Sequence, residues 1–119
     1  MTIHWSPTVG ILTTEYHALS PTVLLNHEAD HALKYVTDPK AFWKDYKTPD
    51  NQYDNKLEKD CIQGTEKNTA LALREINEGE VTRTDHKAEQ ILTTSDPTKI
   101  KAPSSILENV IISGNNKVK

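Results

Sequence analysis

The stretch that decides the fold covers residues 20–31 and reads SPTVLLNHEADH. Serine is a favoured N-cap residue, and proline at the first helical position gives up only an amide that would have no partner there. The sequence therefore predicts a helix from Pro21 to about Val36. Asp38 and Pro39 end it, because proline cannot continue a helix.

This helix has an apolar stripe and a pair of histidines. Apolar side chains recur at helical spacing and predict one buried stripe, made of Leu25, Ala29, Ala32, Leu33 and Val36. His27 and His31 are four residues apart, so they lie one turn apart beside that stripe.

The segments around the helix predict a small sheet and a second helix. Residues 2–5 and 9–12 are β-prone runs on either side of a turn, which predicts strand, turn and strand. The second helix is predicted from about Asn55 to Asn77, since apolar residues keep an approximate 3.6-residue period there. Gly64 in its middle favours a kink.

The remaining segments predict loops and one or two short strands. Residues 38–54 mix aromatic side chains with Lys, Asp and Asn, which favours an ordered loop. Residues 90–93 and 109–112 are short apolar runs between turn-rich segments, and we expect one or two edge strands there. The C-terminal ~15 residues are expected to be loose. The whole chain, residues 1–119, is expected to form a single compact α+β domain.

Composition and charge exclude several classes of protein. The net charge is -3 and the basic residues are scattered, so we expect no nucleic-acid partner. Cys61 is the one cysteine of the chain, which excludes an intrachain disulfide and a four-cysteine zinc site. The sequence has neither an apolar stretch of about 20 residues nor a signal-peptide pattern. We therefore expect no membrane partner, and secretion only as part of something larger or by a route that needs no signal peptide.

Residues 27–31 match the pattern His-Glu-x-x-His. Because residues i and i+4 share one face of a helix, the imidazoles of His27 and His31 can reach a single zinc ion at roughly 2.0–2.1 Å each. Glu28 is rotated by about 100° from His27. Its carboxylate can therefore act as the general base for the attacking water without becoming a ligand. The pattern predicts hydrolysis that depends on zinc.

A catalytic zinc needs a third protein ligand and keeps one position open. The metzincin extension with a third histidine is absent after His31. Glu58 and Glu66 on the predicted second helix are the candidates, since eight residues place them on nearly the same side. Each has an alternative to the ligand role: Glu58 could form a capping box with Asn55, and Glu66 could be an ordinary solvated acid. The residues themselves leave this choice open.

The segment after the second helix supplies further candidate residues. His86 is the second candidate catalytic residue, and Arg83 is a candidate contact for substrate or for the oxyanion of a tetrahedral intermediate. A plain surface loop is the alternative. Tyr16, Tyr35 and Tyr53 could each donate to that oxyanion, and Tyr53 is the substrate-binding candidate among them. Cys61 is expected in the core.

The order of these residues resembles the small zincin-type HExxH metallopeptidase domains that serve as toxin or effector modules of secreted bacterial proteins, including Rhs-type and type III effector peptidases. The resemblance covers about residues 3–95 and rests on Ser20-Pro21, His27-Glu28-x-x-His31-Ala32, Glu58, Gly64-x-Glu66 and Arg83-x-x-His86.

This resemblance implies a zincin-like fold, with a small sheet, the HExxH helix and a second helix that carries a ligand. It implies Zn²⁺ held by His27, His31 and Glu58, with Glu28 as base. The implied substrate is a protein of the target cell, with a cognate immunity or inhibitor protein as a further partner. The chain would be delivered as part of a larger effector. Asp30 departs from the small or apolar residue usual at its position.

Two other functions are compatible with the same residues. A zincin-like domain without catalytic activity could bind a protein, and Asp30 and the polar composition are consistent with that. A structural zinc site is the other, with His86 as a fourth protein ligand.

Overall fold

The computed structural model of the protein describes residues 2–93 and 96–99, and one 17-residue helix is its longest element. The elements follow the chain as β1 (Val9–Thr13), β2 (Ala18–Leu19), α1 (Pro21–Thr37), α2 (Pro39–Tyr46), β3 (Pro49–Asp50), β4 (Asp54–Asn55), α3 (Lys56–Cys61), a π-helical segment (Ile62–Glu66), α4 (Lys67–Ala72) and β5 (Ala88–Leu92).

The predicted first helix is confirmed as α1. The side chain of Ser20 accepts a hydrogen bond from the backbone N–H of Val23, and Pro21 is the first helical residue. Asp38 ends the helix, and its backbone N–H donates to the carbonyl of Lys34 at 2.9 Å. Local sequence signals therefore fix both ends of α1.

The prediction of a loop over residues 38–54 is wrong for its first half, where α2 forms. Asp38 both ends α1 and caps α2, since its carboxylate accepts the backbone N–H of Ala41 at 3.1 Å. Pro39 then occupies the first helical position. The Asp-Pro pair thus repeats the Ser-Pro signal of α1, and it starts a helix as well as stopping one.

The predicted second helix is present but interrupted and shorter. It begins at Lys56, where the side chain of Asn55 caps it, and ends at Ala72 rather than near Asn77. Its middle turn is π-helical, and Gly64 lies in that turn. A π turn is wider than an α turn, so it changes which face the following residues occupy.

A three-stranded antiparallel sheet lies beside the helices in the order β2-β1-β5. Gly10 allows β1 and β2 to approach closely, because a Cβ on it would lie 2.3 Å from the carbonyl oxygen of Leu19. β5 is an edge strand and confirms the strand expected near residues 90–93. The strand expected at residues 109–112 and the loose C-terminal segment lie outside the described residues.

The strand predicted at residues 2–5 is wrong. This segment is irregular and lies against the start of α1, where the indole N–H of Trp5 donates to the carbonyl of Pro21 at 2.7 Å. The central strand β1 instead pairs with the short β2 and, across most of the chain, with β5.

The core lies between the sheet and the helices and gives a compact α+β domain. Its central residues come from β1, β2, α1, α4 and the segment after α4: Ile11, Leu19, Val23, Ala70 and Ile76. Among the described residues, no helix has the length and the hydropathy to cross a lipid bilayer.

The buried stripe predicted for α1 is wrong. The helix buries Pro21, Val23, His27 and His31, whereas Leu33 and Val36 are 60% and 71% exposed. Helical periodicity shows that an apolar stripe exists but cannot show what covers it. Here α3 and the π-helical segment pack on the histidine side of α1, and their acidic side chains supply the partners that buried imidazoles need.

Candidate metal centre

One turn of α1 presents two buried imidazoles to a common point. The Nε2 atoms of His27 and His31 are 3.1 Å apart, and their rings meet edge to face with centroids separated by 4.7 Å. The i, i+4 spacing therefore produces the juxtaposition that the sequence predicts.

Glu58 on α3 completes a triangle with these two histidines. Its Oε1 lies 3.0 Å from Nε2 of His27 and 3.1 Å from Nε2 of His31. The backbone N–H of Glu58 is capped by the side chain of Asn55 at 2.9 Å, while the backbone N–H of Asn55 donates to the carbonyl of Tyr53. In a capping box the Glu58 carboxylate would accept the backbone N–H of Asn55. Here that N–H donates to Tyr53 instead, and the carboxylate points at the histidines.

The dimensions of this triangle fit a small cation. Ligands at about 2.0–2.1 Å from a tetrahedral zinc lie roughly 3.3 Å from one another. The three atom pairs among His27, His31 and Glu58 are separated by 3.0 to 3.1 Å. Three atoms that can all act as acceptors converge here, which is stable only when a proton or a cation lies between them.

Glu66 lies on the other side of the His27 ring. Its Oε1 is 2.9 Å from Nδ1 of His27, and the residue is 0% exposed. Arg83 donates to both of its oxygens, with Nε to Oε2 at 3.0 Å and Nη2 to Oε1 at 2.6 Å, and the hydroxyl of Thr82 donates to Oε2. A carboxylate held this way accepts from Nδ1, which leaves the Nε2 lone pair of His27 facing the centre.

The π-helical turn explains how two acids of one helix reach one histidine. Glu58 comes before the turn and Glu66 is its last residue. Because a π turn carries more residues per turn than an α turn, it changes the angle between these side chains. Both carboxylates face His27, one at each ring nitrogen.

His86 approaches the same carboxylate from the segment after α4. Its Nε2 lies 3.4 Å from Oε1 of Glu58, and its Nδ1 lies 2.7 Å from Oδ2 of Asp54. The side chain is 37% exposed. Asp54 thus orients the His86 ring so that Nε2 points toward the centre from its solvent-accessible side.

An open cleft of about 500 Å³ leads to this centre. Its polar wall includes His27, Glu28, Arg83 and His86. Glu28 is exposed, as a base that must meet solvent and substrate would be. The remainder is lined by apolar side chains of the sheet and of α1, by Trp5, and by the polar residues His4, Ser6 and Gln90.

Hydrogen bonding outweighs burial throughout the cluster. Burial by itself lowers the pKa of His27, but hydrogen bonds involving Cys61, Glu58 and Glu66 raise that pKa to about 12. Burial raises the pKa of Glu58, yet hydrogen bonds with His27, His31 and His86 hold that pKa well below its usual range. The carboxylates around His27 therefore favour positive charge at this histidine, and the histidines favour the ionised form of Glu58.

The same balance applies to the two supporting groups. Burial raises the pKa of Glu66, but hydrogen bonds from His27 and Arg83 lower that pKa overall. The pKa of His86 is raised, chiefly by its hydrogen bond with Glu58 and also by Asp54.

Cys61 lies close to the centre in the core, as expected. Its Sγ is within 4.8 Å of ligand atoms of His27 and His31, and the thiol donates to the backbone carbonyl of His27. The pKa of this thiol is raised to about 11, chiefly by burial and to a smaller extent by Asp30, although His27 opposes the rise. Thiolate is the form that binds metal, so Glu58 is the better third ligand.

The predicted site residues do not all face the cleft. Arg83 forms part of the cleft wall but is largely buried, and its guanidinium is paired with Glu66. Tyr53 is not part of that wall; it is buried, and its hydroxyl donates to the carbonyl of Arg83 at 3.2 Å. Arg83 therefore holds the Glu66 carboxylate that contacts His27, and Tyr53 in turn holds the backbone of Arg83. Tyr35 packs against aromatic rings of α2, and Tyr16 is exposed at another cleft.

Sequence reasoning did not find Asp54 or Thr82. Asp54 has a positive φ of 73° and begins the two-residue strand β4, and Thr82 lies in an irregular segment, so neither belongs to a periodic pattern. Their roles depend on contacts between residues 16 and 32 positions apart.

The chain was compared with models of known protein families, with curated proteins and with solved structures, and none of these comparisons gives a match.

Proposed function

We propose that this domain is a zinc-dependent peptidase with a zincin-like arrangement of its site, in which His27, His31 and Glu58 hold the metal. The observation that carries the proposal is the triangle of two Nε2 atoms and one carboxylate oxygen with sides of 3.0 to 3.1 Å. Imidazole nitrogen and carboxylate oxygen are ligands that zinc accepts in catalytic sites.

The surroundings of the triangle support this proposal. Ligating histidines commonly give their second ring nitrogen to a carboxylate, and Glu66 receives that of His27. Glu66 is in turn neutralised by Arg83, so the ion pair adds no net charge to the site. A zinc in this position would polarise a substrate carbonyl and lower the pKa of water.

Glu28 and His86 would then carry the proton transfers of peptide hydrolysis. The Glu28 carboxylate takes a proton from the water whose oxygen attacks the carbonyl carbon. It returns that proton to the leaving nitrogen as the C–N bond breaks. His86, oriented by Asp54, faces the cleft and would donate a hydrogen bond to the oxygen that gains negative charge. The substrate class is a polypeptide, and for a toxin or effector domain it would be a protein of the target cell.

A closed, structural zinc site is the second candidate, and one distance favours it. Nε2 of His86 lies 3.4 Å from Oε1 of Glu58, which is also the spacing of two ligands on one tetrahedral zinc. In that case His86 would fill the position that a peptidase keeps open.

Metal analysis of purified variants tests the zinc site. We expect about one zinc per chain in the wild type and near-zero zinc in His27→Ala, His31→Ala and Glu58→Ala. His17→Ala is the matched control, because this half-buried histidine belongs to the sheet region and not to the cluster. Cys61→Ser should also keep its zinc. Equal zinc in wild type and His27→Ala would refute the site.

Activity assays separate the peptidase from the structural site and from an inactive protein-binding module. Cleavage of denatured proteins should be lost in Glu28→Gln with zinc retained. His86→Ala should keep zinc but lose activity by about 10²- to 10⁴-fold if His86 acts on the substrate. Loss of zinc in His86→Ala, with no activity in the wild type, would favour the structural site. Zinc retained with no cleavage in any sample would favour the binding module.

A further inference from the structure

The outer side of α2 combines lysines with exposed aromatic rings. Lysines occur at positions i, i+4 and i+7 of the helix and its C-cap, so they share one side of it, and the two aromatic residues lie next to that row. All five side chains are exposed. We call them the α2 outer face: Lys40, Trp43, Lys44, Tyr46 and Lys47.

The aromatic part of this face is large and fixed in place. Trp43 and Tyr46 are 45% and 50% exposed, and their rings meet edge to face at 5.6 Å. Both also pack on Phe42, while Tyr35 of α1 contacts Phe42 and Trp43. These four rings line a shallow recess of about 400 Å³. Exposed apolar area of this kind commonly marks an interaction surface.

The lysines of the α2 outer face are available to an anionic partner. Within residues 2–93 and 96–99, none of the three forms an ion pair. The aspartate of this helix, Asp45, is already paired with Lys34 of α1 at 2.5 Å on the inner side. The chain as a whole carries a net charge of -3, so the positive charge of the α2 outer face is opposite in sign to the net charge of the protein.

We propose that the α2 outer face docks on an anionic lipid surface, with α2 lying along the bilayer. Trp and Tyr prefer the boundary between lipid headgroups and acyl chains, and lysines are attracted to acidic headgroups. Adjacent rows of these two residue types on one surface helix match that layered surface. The expectation of no membrane partner came from the lack of a spanning segment, and a surface contact needs none. This inference goes beyond the proposed peptidase and does not depend on it.

Vesicle sedimentation with the full chain tests the docking. We expect binding to vesicles of phosphatidylcholine mixed with phosphatidylserine, weakened by added salt. Because each lysine near an anionic surface contributes about a fivefold gain in binding, the triple variant Lys40→Gln/Lys44→Gln/Lys47→Gln should bind roughly 100-fold more weakly. The matched control Lys67→Gln/Lys87→Gln/Lys99→Gln carries the same charge change elsewhere and should bind within a few fold of the wild type.

Fluorescence gives a second readout that does not depend on the charge variants. In a Trp5→Phe protein, emission from Trp43 should shift to shorter wavelength when mixed vesicles are added. Four results would each overturn the proposal: no binding by the wild type, equal binding to pure phosphatidylcholine, equal loss in both triple variants, or binding to polyglutamate without binding to vesicles. A dimer that Trp43→Gln dissociates would also overturn it, by assigning the face to a second copy of the chain.

Discussion

Oε1 of Glu66 lies 2.9 Å from Nδ1 of His27, and Arg83 holds both oxygens of the same buried carboxylate. The position of the His27 ring is therefore set by a neighbouring ion pair as well as by its own helix. Substituting Glu66→Gln should weaken zinc binding by about 10- to 100-fold, since the amide has one acceptor oxygen where the carboxylate has two. Calorimetric titration with zinc measures this, with the exposed Glu78→Gln as control. Unchanged affinity in Glu66→Gln would show that the ring needs no such support.

Asp54 holds His86 through the 2.7 Å contact between Oδ2 and Nδ1. We expect Asp54→Asn to reduce kcat/KM for peptide cleavage by about 10- to 100-fold, because the His86 ring loses its charged hydrogen-bond partner. Zinc content should stay unchanged, because His86 is not a zinc ligand in the proposed peptidase. Asp60→Asn, on the exposed side of α3, is the control. A fall in zinc content instead of activity would count in favour of His86 as a ligand.

Glu75 makes stability depend on pH. Its Oε1 accepts the backbone N–H of Ser20 at 2.8 Å, while its buried Oε2 has no hydrogen-bond partner in the part of the chain that the structure describes. Burial raises the pKa of Glu75 above its ordinary value of 4.5. The contribution of this carboxyl to folding is thus fully present below the unfolded pKa and is lost as pH rises through the folded pKa.

The variant Glu75→Gln should therefore gain stability relative to the wild type as the pH rises from about 4 to about 8. Denaturant unfolding at several pH values measures the difference. Glu80 is not a suitable control, because its side chain accepts the backbone N–H of Asn77. The exposed Glu78 is therefore substituted instead, as Glu78→Gln. If the stability of Glu75→Gln relative to the wild type falls as the pH rises, the pKa of Glu75 is not raised in the folded protein.

Two glycines should respond in opposite directions to alanine. A Cβ at Gly10 would lie 2.3 Å from the backbone oxygen of Leu19, whereas a Cβ at Gly64 would meet nothing within 4 Å. We expect Gly10→Ala to lower the free energy of unfolding by about 1–3 kcal/mol, because β1 and β2 must separate. Gly64→Ala should raise it by up to about 1 kcal/mol, since glycine is a poor helix former. Thermal or denaturant unfolding checks both, and equal effects would contradict the close approach of the strands.

Short-range signals explain what could be predicted. Ser20 and Pro21 start α1 as expected, and the same kind of signal at Asp38 and Pro39 starts α2 as well as ending α1. Capping needs contacts within a few residues, so it can be recognised in the sequence.

Long-range contacts explain what could not be predicted. The side of α1 that is buried depends on α3 and on the π-helical turn, which bring acids to the histidines and leave Leu33 and Val36 exposed. Sequence spacing likewise placed Glu58 and Glu66 on one side of a helix but could not show which ring nitrogen each would reach.

The sequence by itself determined that His27 and His31 share one turn of a well-capped helix, because helix geometry fixes the spacing of residues i and i+4. Only the tertiary structure decided that Glu58 closes the triangle while Glu66 supports it from behind. The reason is that these contacts span 27 to 39 residues of chain, so they depend on how the helices pack and on the π turn between the two acids.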